Sequence, residues 1–286
     1  MSDSNADLPA HGHVSWFFRA VSWVLILVFS LFTVVPLVWM TWTSFKPHRE
    51  IARNILAWPK HATVENFVRA WDLGNFGWLF ANSVGYSLLT TVATVWFALS
   101  VGYAFAWISS RLTPILYGFI ILGLLITVHS TLIPLFVLEN AVGLDNTRLG
   151  ILIPYIAFAL PFAVYLATTF IKAIPQDVMS AADIDGANHV QIFWHIVLPI
   201  CRPIAATIAI FTFLSAWNEF VLVFTLTSDA HVQTLPVGIN ALAGGRNVNY
   251  GLQFASLVIG TLPMVLFYAA FHRQLHAGFA QGAVKG

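Results

Sequence analysis

Residues 21–43 read VSWVLILVFSLFTVVPLVWMTWT, a stretch without a single Asp, Glu, Lys or Arg. A helix that crosses about 30 Å of hydrocarbon needs about 20 mostly apolar residues. This stretch is long enough, and it continues well past the usual length of the apolar region in a cleavable signal peptide. We therefore interpret it as the first of several membrane-spanning helices.

The rest of the chain repeats this apolar pattern. Candidate spans lie near residues 18–43, 80–108, 113–137, 149–171, 204–227 and 252–272. Lipid does not satisfy exposed backbone hydrogen-bonding groups or open strand edges, so these spans are expected to be helices. The sequence therefore predicts an all-α, polytopic membrane protein with six transmembrane helices.

The composition agrees with lipid as the main solvent of the chain. Of its 286 residues, 58% are hydrophobic and 9% are charged, whereas soluble domains carry about 25% charged residues. The net charge of +1 gives no reason to expect a nucleic acid partner. The single Cys201 excludes an internal disulfide, and no metal cluster or catalytic set is apparent. A membrane-embedded enzyme is an alternative, but no pair of residues at catalytic spacing supports it.

One polar segment interrupts the apolar pattern. Residues 171–203 read IKAIPQDVMSAADIDGANHVQIFWHIVLPICRP, which predicts a helix–turn–helix. Asp185-Gly186 should end the first helix, because glycine accepts backbone angles that other residues avoid. Asn188 and Gln191 have the spacing of a capping box, which predicts the start of the second helix.

The two predicted helices of this segment offer different faces. Ala181 and Ala182 form a flat face that would let the backbone of another protein approach closely. The second helix should present one apolar face and end at Pro199; the residues of that face are Val190, Phe193, Trp194, Val197 and Leu198. By spacing alone, an amphipathic helix resting at the membrane interface is an equally good interpretation.

A motif within this segment is recognisable. It reads Ser180-Ala181-Ala182-Asp183-Ile184-Asp185-Gly186-Ala187 and is followed by Phe193, Ile196, Leu198-Pro199 and Pro203. This pattern resembles the EAA loop of the permease subunits of ABC importers, which has glutamate where this chain has Ser180. Serine keeps a hydroxyl group but lacks the charge, so we expect no salt bridge at this position.

Further motifs extend the resemblance over most of the chain and to the carbohydrate-uptake branch, typified by the smaller permease of the maltose transporter. They are Ser44-Phe45-Lys46-Pro47, Phe80-Ala81-Asn82-Ser83, Tyr103-Ala104-Phe105-Ala106, Val142-Gly143-Leu144-Asp145-Asn146-Thr147, Trp217-Asn218-Glu219-Phe220, Gln233-Thr234-Leu235-Pro236-Val237 and Gly282-Ala283-Val284-Lys285-Gly286.

The resemblance implies that residues 171–203 form a coupling loop that docks on an ATPase. The coupling residues it implies are Ser180, Ala181, Ala182, Asp183, Asp185, Gly186, Ala187, Phe193, Leu198 and Pro199. ATP is cytoplasmic, so the loop should be too, whereas counting Lys and Arg in the connecting segments does not decide the orientation. The implied layout is a cytoplasmic N-terminal segment over 1–17, a six-span permease domain over 18–272 in a prokaryotic cytoplasmic (inner) membrane, and a cytoplasmic tail over 273–286.

The chain itself has no sequence for binding ATP. A phosphate-binding Walker A loop needs a lysine directly after glycine, and none of Lys46, Lys60, Lys172 and Lys285 follows one. We therefore expect no cofactor on this chain, with ATP and Mg²⁺ held by a partner ATPase dimer. The other implied partners are a second homologous permease subunit, an extracytoplasmic solute-binding protein and the lipid bilayer.

Three polar residues fall within predicted spans. Asn218 and Glu219 lie in the fifth span and His129 lies in the third. Ionisable groups at membrane depth are functional candidates by default, so we assign all three to the translocation pathway as a hypothesis. The alternatives are hydrogen bonds that hold helices together and, for Glu219, a helix break near the membrane surface.

The resemblance leaves more than one class of cargo open. A sugar or oligosaccharide is the first expectation, and the same branch also handles polyols and glycerol phosphates. A scaffold or sensor that has the permease fold but transports nothing is a further alternative.

Overall fold

The computed structural model describes residues 16–243 and 249–283, with side chains apart from residues 17 and 272–283. The described ranges are helical and contain no strand. Most of the expected N-terminal segment 1–17, and every side chain of the expected tail 273–286, lie outside the described parts. The backbone of the last helix continues to Ala283.

The α-helices of the described ranges, in chain order, are α1 (Trp16–Ser44), α2 (His48–Arg53), α3 (Glu65–Leu73), α4 (Phe76–Trp107), α5 (Thr113–Leu122), α6 (Val128–Val142), α7 (Arg148–Lys172), α8 (Gln176–Ile184), α9 (His189–Ile192), α10 (Leu198–Ile200), α11 (Arg202–Asn218), α12 (Val221–Leu226), α13 (Leu235–Ala243) and α14 (Tyr250–Ala283). A 3₁₀ turn over Gly123–Leu125 extends α5, and a π-helical turn over Phe193–Val197 joins α9 to α10.

Four of the described helices, α1, α4, α7 and α14, are each long and apolar enough to cross a membrane. Two further pairs meet the same criteria together but are bent. Thr113–Leu125 and Val128–Val142 meet at 103°, and His189–Ile200 and Arg202–Asn218 meet at 73°. The prediction of an all-α polytopic membrane protein is confirmed, and six spans result if each bent pair counts as one.

The third span is not the single straight helix predicted over 113–137. It breaks at Ile126 and Thr127, where the backbone of Thr127 is extended (φ −84°, ψ 143°). The Thr127 carbonyl accepts hydrogen bonds from both the backbone N–H and the hydroxyl of Ser130. These bonds start α6 as a new helix in a new direction.

The fifth span is also interrupted, at Glu219 and Phe220. The backbone of Glu219 is extended (φ −68°, ψ 120°), and its Oε1 accepts a hydrogen bond from the Leu222 N–H at 2.9 Å. A side-chain acceptor at this spacing caps the free N–H groups at the start of a helix. The helix is therefore broken at Glu219, whereas the position of this break relative to the membrane surface stays a prediction.

Helix α4 lies at the centre of the bundle and packs mainly on α7 and α11. Small hydroxyl residues follow one of its faces, and Ser83, Ser87, Thr90 and Thr94 are all buried. Their spacing of four, three and four residues keeps them on one side of the helix. A Cβ at Gly102 would lie 2.9 Å from the Cβ of Ala167 on α7. Small residues at such contacts let membrane helices approach closely.

Residues 44–79 form a folded unit at the Phe76 end of α4. Lys46 is fully buried, and its Nζ donates to the carbonyl of Ile55 at 3.1 Å and to that of Asn54 at 3.4 Å. Asn66 Nδ2 donates to the carbonyls of Ser44 and Lys46 at 2.8 and 2.7 Å. Burial lowers the pKa of Lys46, although the charge of Glu50 opposes this shift.

Candidate functional site

Residues 171–203 form the predicted helix–turn–helix at the opposite end of α4. The turn is closed by a Schellman motif, in which the Ala187 N–H donates to the Ala182 carbonyl and the Gly186 N–H donates to the Asp183 carbonyl, both at 3.0 Å. This geometry requires a left-handed residue, and Gly186 has φ +75°. The prediction that Asp185-Gly186 ends the first helix is confirmed.

The capping box predicted for the second helix is also present. Asn188 Oδ1 accepts from the Gln191 N–H, and Gln191 Oε1 accepts from the Asn188 N–H, both at 2.9 Å. Each side chain satisfies a backbone donor that the helix start leaves free. Because both contacts join residues three apart, they depend on local sequence alone.

The predicted apolar face of the second helix is confirmed in part, because Phe193 and Val197 are buried and Leu198 packs against the same apolar cluster. Ile192 and Val197 are buried together with Phe193, whereas Val190 is 66% exposed and Trp194 is 49% exposed. A π-helical turn lies in this helix, in which the Leu198 N–H donates to the carbonyl of Phe193, five residues earlier. A π turn holds more residues than an α turn, but Val190 precedes this turn, so the turn does not account for the exposure of Val190.

Pro199 does not end this helix, contrary to prediction. Helix α10 continues to Ile200, and the chain bends at Cys201 before α11 begins. Proline has no N–H and would normally leave a carbonyl in the preceding turn without a partner. The π turn directly before it already changes the pairing of carbonyls and N–H groups, so this proline is accommodated. Cys201 itself is fully buried.

The two alanines of the motif do not share an outward face. Ala182 is 6% exposed and packs with Met179 into the apolar cluster below, whereas Ala181 is exposed. The exposed stripe of α8, which we call the docking stripe, consists of Asp177, Ser180, Ala181 and Ile184. These positions are three, one and three residues apart, and Ile184 is 86% exposed.

The other predicted coupling residues divide between the surface and the interior. Asp183, Asp185, Gly186 and Pro199 are exposed beside the docking stripe or at the end of the second helix. Ala187, Phe193 and Leu198 contact the apolar cluster that joins the loop to the bundle. The first group is available to another protein, and the second group fixes the loop to α4 and α7.

Aromatic side chains connect the loop directly to α4. The Tyr103 hydroxyl shares a hydrogen bond with His189 Nδ1 at 3.1 Å, and the Tyr103 ring lies 5.5 Å from that of Phe193. Two turns earlier on α4, the Trp96 ring lies 5.3 Å from that of Trp194 and 6.0 Å from that of Phe193. A displacement of α9 must therefore act on α4.

The break at Glu219 separates two cavities. The tyrosine cavity, of about 240 Å³, is lined by residues that include Thr90, Tyr155, Phe162, Ser215 and Glu219. The amide cavity, of about 610 Å³, is lined by residues that include Trp217, Asn218, Asn240, Gln253 and Thr261. Neighbouring residues at the break thus line opposite cavities.

The three polar residues assigned to the pathway are therefore not brought together. Asn218 faces the amide cavity, where its Nδ2 donates to the Leu214 carbonyl at 2.8 Å. Glu219 faces the tyrosine cavity. His129 is exposed in the first turn of α6 and is not among the residues that line either cavity.

Sequence reasoning missed Ile184, Thr90 and Tyr155. The signal for Ile184 was present, since residues 177, 180, 181 and 184 have helical spacing on one face. Thr90 and Tyr155 had no distinguishing pattern, because single hydroxyl groups in membrane helices usually serve helix packing.

Comparison with known proteins agrees with this architecture. A family model described as the binding-protein-dependent transport system inner membrane component matches residues 98–280. The diacetylchitobiose uptake system permease protein NgcG of Streptomyces coelicolor is 34% identical over 274 residues, which cover 94% of this chain and 89% of that protein. The trehalose transport system permease protein SugB of Mycobacterium tuberculosis is 32% identical over 271 residues, which cover 94% and 98%.

A solved structure shows the same fold. In the crystal structure of a bacterial ABC transporter involved in the import of the acidic polysaccharide alginate, one chain aligns with a TM-score of 0.81 and 22% identity. The alignment covers 93% of this chain and 99% of that one. With its membrane-spanning helices and the family match over residues 98–280, this chain belongs to the inner membrane components of binding-protein-dependent transport systems.

Proposed function

We propose that this chain is one of two transmembrane subunits of an ATP-driven importer for a carbohydrate, and that it forms half of the translocation pathway. The docking stripe carries this proposal, because it is an exposed apolar and polar surface on a loop anchored to the central helix. The names of the relatives support the cargo, since diacetylchitobiose and trehalose are both disaccharides.

In this proposal the docking stripe fits a groove of a partner ATPase dimer, which holds ATP and Mg²⁺. Ile184 is the apolar anchor, because nearly all of its side chain is free to be buried by a partner. Ser180 lies beside it in the stripe and contributes a hydroxyl group rather than a charge. Closure of the dimer pushes α8 and α9, and the contacts of Tyr103 and Trp96 pass the movement to α4.

The orientation follows from the docking. The loop faces the cytoplasm, and so do both termini, since an even number of spans separates each terminus from the loop. Residues 44–79 then face outward, where they meet the solute-binding protein. A second permease of the same fold completes the pathway. Asn218 and Glu219 contact the solute or water through the two cavities, and His129 lines the pathway from α6.

Uptake by the intact transporter tests this function. A tag on this chain would be used to purify the complex from its host membrane, and subunits that co-purify would be identified by mass spectrometry. In vesicles with ATP inside, we expect the complex to accumulate a radiolabelled disaccharide presented with its binding protein. A complex that accumulates only sorbitol or glycerol phosphate would change the cargo, and assembly without any uptake would contradict transport.

A matched pair of variants connects uptake to the loop. Replacing Ile184 with Asp should remove the ATPase from the purified complex or abolish uptake, whereas replacing Val190, exposed on the second helix, with Asp should leave both largely intact. Equal loss in both variants would contradict the assignment of the docking stripe.

A further inference from the structure

We propose that the tyrosine cavity is a binding site for one uncharged sugar ring of the transported solute, and that Glu219 makes this site discriminate against acidic sugars. This inference rests on the proposed function, and it assigns a recognition role to this subunit. Five helices and one helix break form the site, because α4, α6, α7, α11 and α12 supply its walls and the break at Glu219 supplies its charged group.

Two hydroxyl groups at this cavity have no hydrogen-bond partner among the described residues. Tyr155 is 5% exposed and Thr90 is 1% exposed, and both the Tyr155 hydroxyl and Thr90 Oγ1 are buried and unpaired. Buried polar atoms in native proteins are nearly always paired. Both groups can donate and accept hydrogen bonds, so the hydroxyl groups of a bound ligand would supply the missing partners.

Glu219 supplies the acceptor and the charge of the site. One carboxylate oxygen caps the Leu222 N–H, and a carboxylate has room for further donors on its two oxygens. Among the residues of the described ranges that line this cavity there is no Lys, Arg or His. The carboxylate therefore accepts from sugar hydroxyl groups and repels an anionic substituent, most strongly in the low dielectric of a membrane protein interior.

The remaining walls suit the apolar face of a sugar ring. Phe162 and Phe211 both line the cavity, and their rings meet edge to face with centroids 6.0 Å apart. The C–H groups on one face of a pyranose pack well on such rings. The volume of about 240 Å³ is below the roughly 300–1,000 Å³ of sites for drug-sized ligands, so the cavity has room for a single ring.

The site can be probed by chemical labelling. Ser215 is exposed and lines the cavity, so a Ser215→Cys variant places a thiol beside the bound ring. The natural Cys201 is fully buried, and the unmodified chain serves as the labelling blank. The intact complex in vesicles would be treated with a small methanethiosulfonate reagent, with glucose, galactose, arabinose, N-acetylglucosamine or glucuronate present.

We expect at least one neutral sugar to slow labelling severalfold and glucuronate to have little effect. Adding Tyr155→Phe should remove this protection, because it deletes only the unpaired hydroxyl. Tyr165→Phe, the same change at an exposed position of α7, should preserve it. Glu219→Gln keeps an oxygen for the Leu222 N–H but removes the charge, so glucuronate should then protect as well as a neutral sugar.

The proposed site would be contradicted if the Ser215→Cys thiol is not labelled, or if no neutral sugar slows its labelling. It would also be contradicted if a neutral sugar protects equally well after Tyr155→Phe is added, or if glucuronate protects the Ser215→Cys variant that carries no further change. ATP-driven disaccharide uptake would be measured on the same vesicles. Normal uptake combined with any of these results refutes the site alone, whereas absence of uptake by the parent complex refutes the proposed function.

Discussion

The Tyr103 hydroxyl on α4 and His189 Nδ1 on α9 share a hydrogen bond of 3.1 Å across 86 residues of sequence. It joins the central helix of the bundle to the helix that follows the docking stripe. The apolar contacts around it, from Phe193 and Trp96, make the same connection without polar groups. The loop and α4 therefore form one packed unit.

Replacing Tyr103 with Phe should uncouple ATP hydrolysis from uptake in part. The change removes one hydrogen bond, worth about 0.5–1.5 kcal/mol, and leaves the ring contact with Phe193 in place. We expect the complex to assemble and hydrolyse ATP, but to transport fewer solute molecules per ATP. Parallel measurement of uptake and phosphate release on vesicles gives this ratio. An unchanged ratio, or equal loss in Tyr165→Phe, would argue against the contact.

Ile184 should dominate the affinity for the ATPase. Burying an isoleucine side chain contributes about 1.5–3 kcal/mol, so Ile184→Asp should weaken binding by roughly 10- to 100-fold or more. Ile184→Val keeps most of the apolar surface and should bind nearly as well. Ser180→Ala removes only an exposed hydroxyl and should also have little effect. Titration of the purified ATPase onto vesicles carrying each variant measures these affinities.

Gly186 should tolerate few replacements, because its backbone has a left-handed conformation. Apart from its chain neighbours, no atom of the described residues lies within 4 Å of a Cβ placed there, so space is available, but φ is +75°. A left-handed conformation costs most L-residues about 1–2 kcal/mol, and a β-branched residue is the worst case. We expect Gly186→Val to reduce ATPase stimulation strongly, whereas Gly186→Asn, which tolerates this region, should retain most of it. Equal effects would mean that the turn is not the cause.

Lys46 should make stability depend on pH at the alkaline end. Burial lowers its pKa in the folded protein below the ordinary value of 10.5, so the unfolded chain binds this proton more readily. Stability then rises with pH between the two pKa values. In Lys46→Met this increment is absent. We would measure the free energy of unfolding of both proteins in detergent from pH 8 to 10.5. The value for the wild type minus the value for the variant should increase as pH rises. If this difference does not change with pH, the pKa of Lys46 is not lowered in the folded protein.

The features that sequence predicted correctly are those set by nearby residues. The capping box of Asn188 and Gln191 and the turn at Gly186 depend on contacts within five residues, and the spans depend on runs of apolar side chains. The bend at Thr127 and the π turn after Ile192 lie within apolar runs, and no pattern of apolar residues marks either of them. Tyr155 could not be identified because its missing partner is visible only in three dimensions.

The break at Glu219 places Asn218 and Glu219 in the walls of different cavities. Because the same short segment lines both cavities, a change in its backbone alters both of them. Any rotation of α12 relative to α11 changes the shape of both spaces together, and any substitution that straightens the helix removes Glu219 from one while it reorients Asn218 in the other. Variants at these two positions are thus expected to be energetically coupled, although the side chains face different volumes.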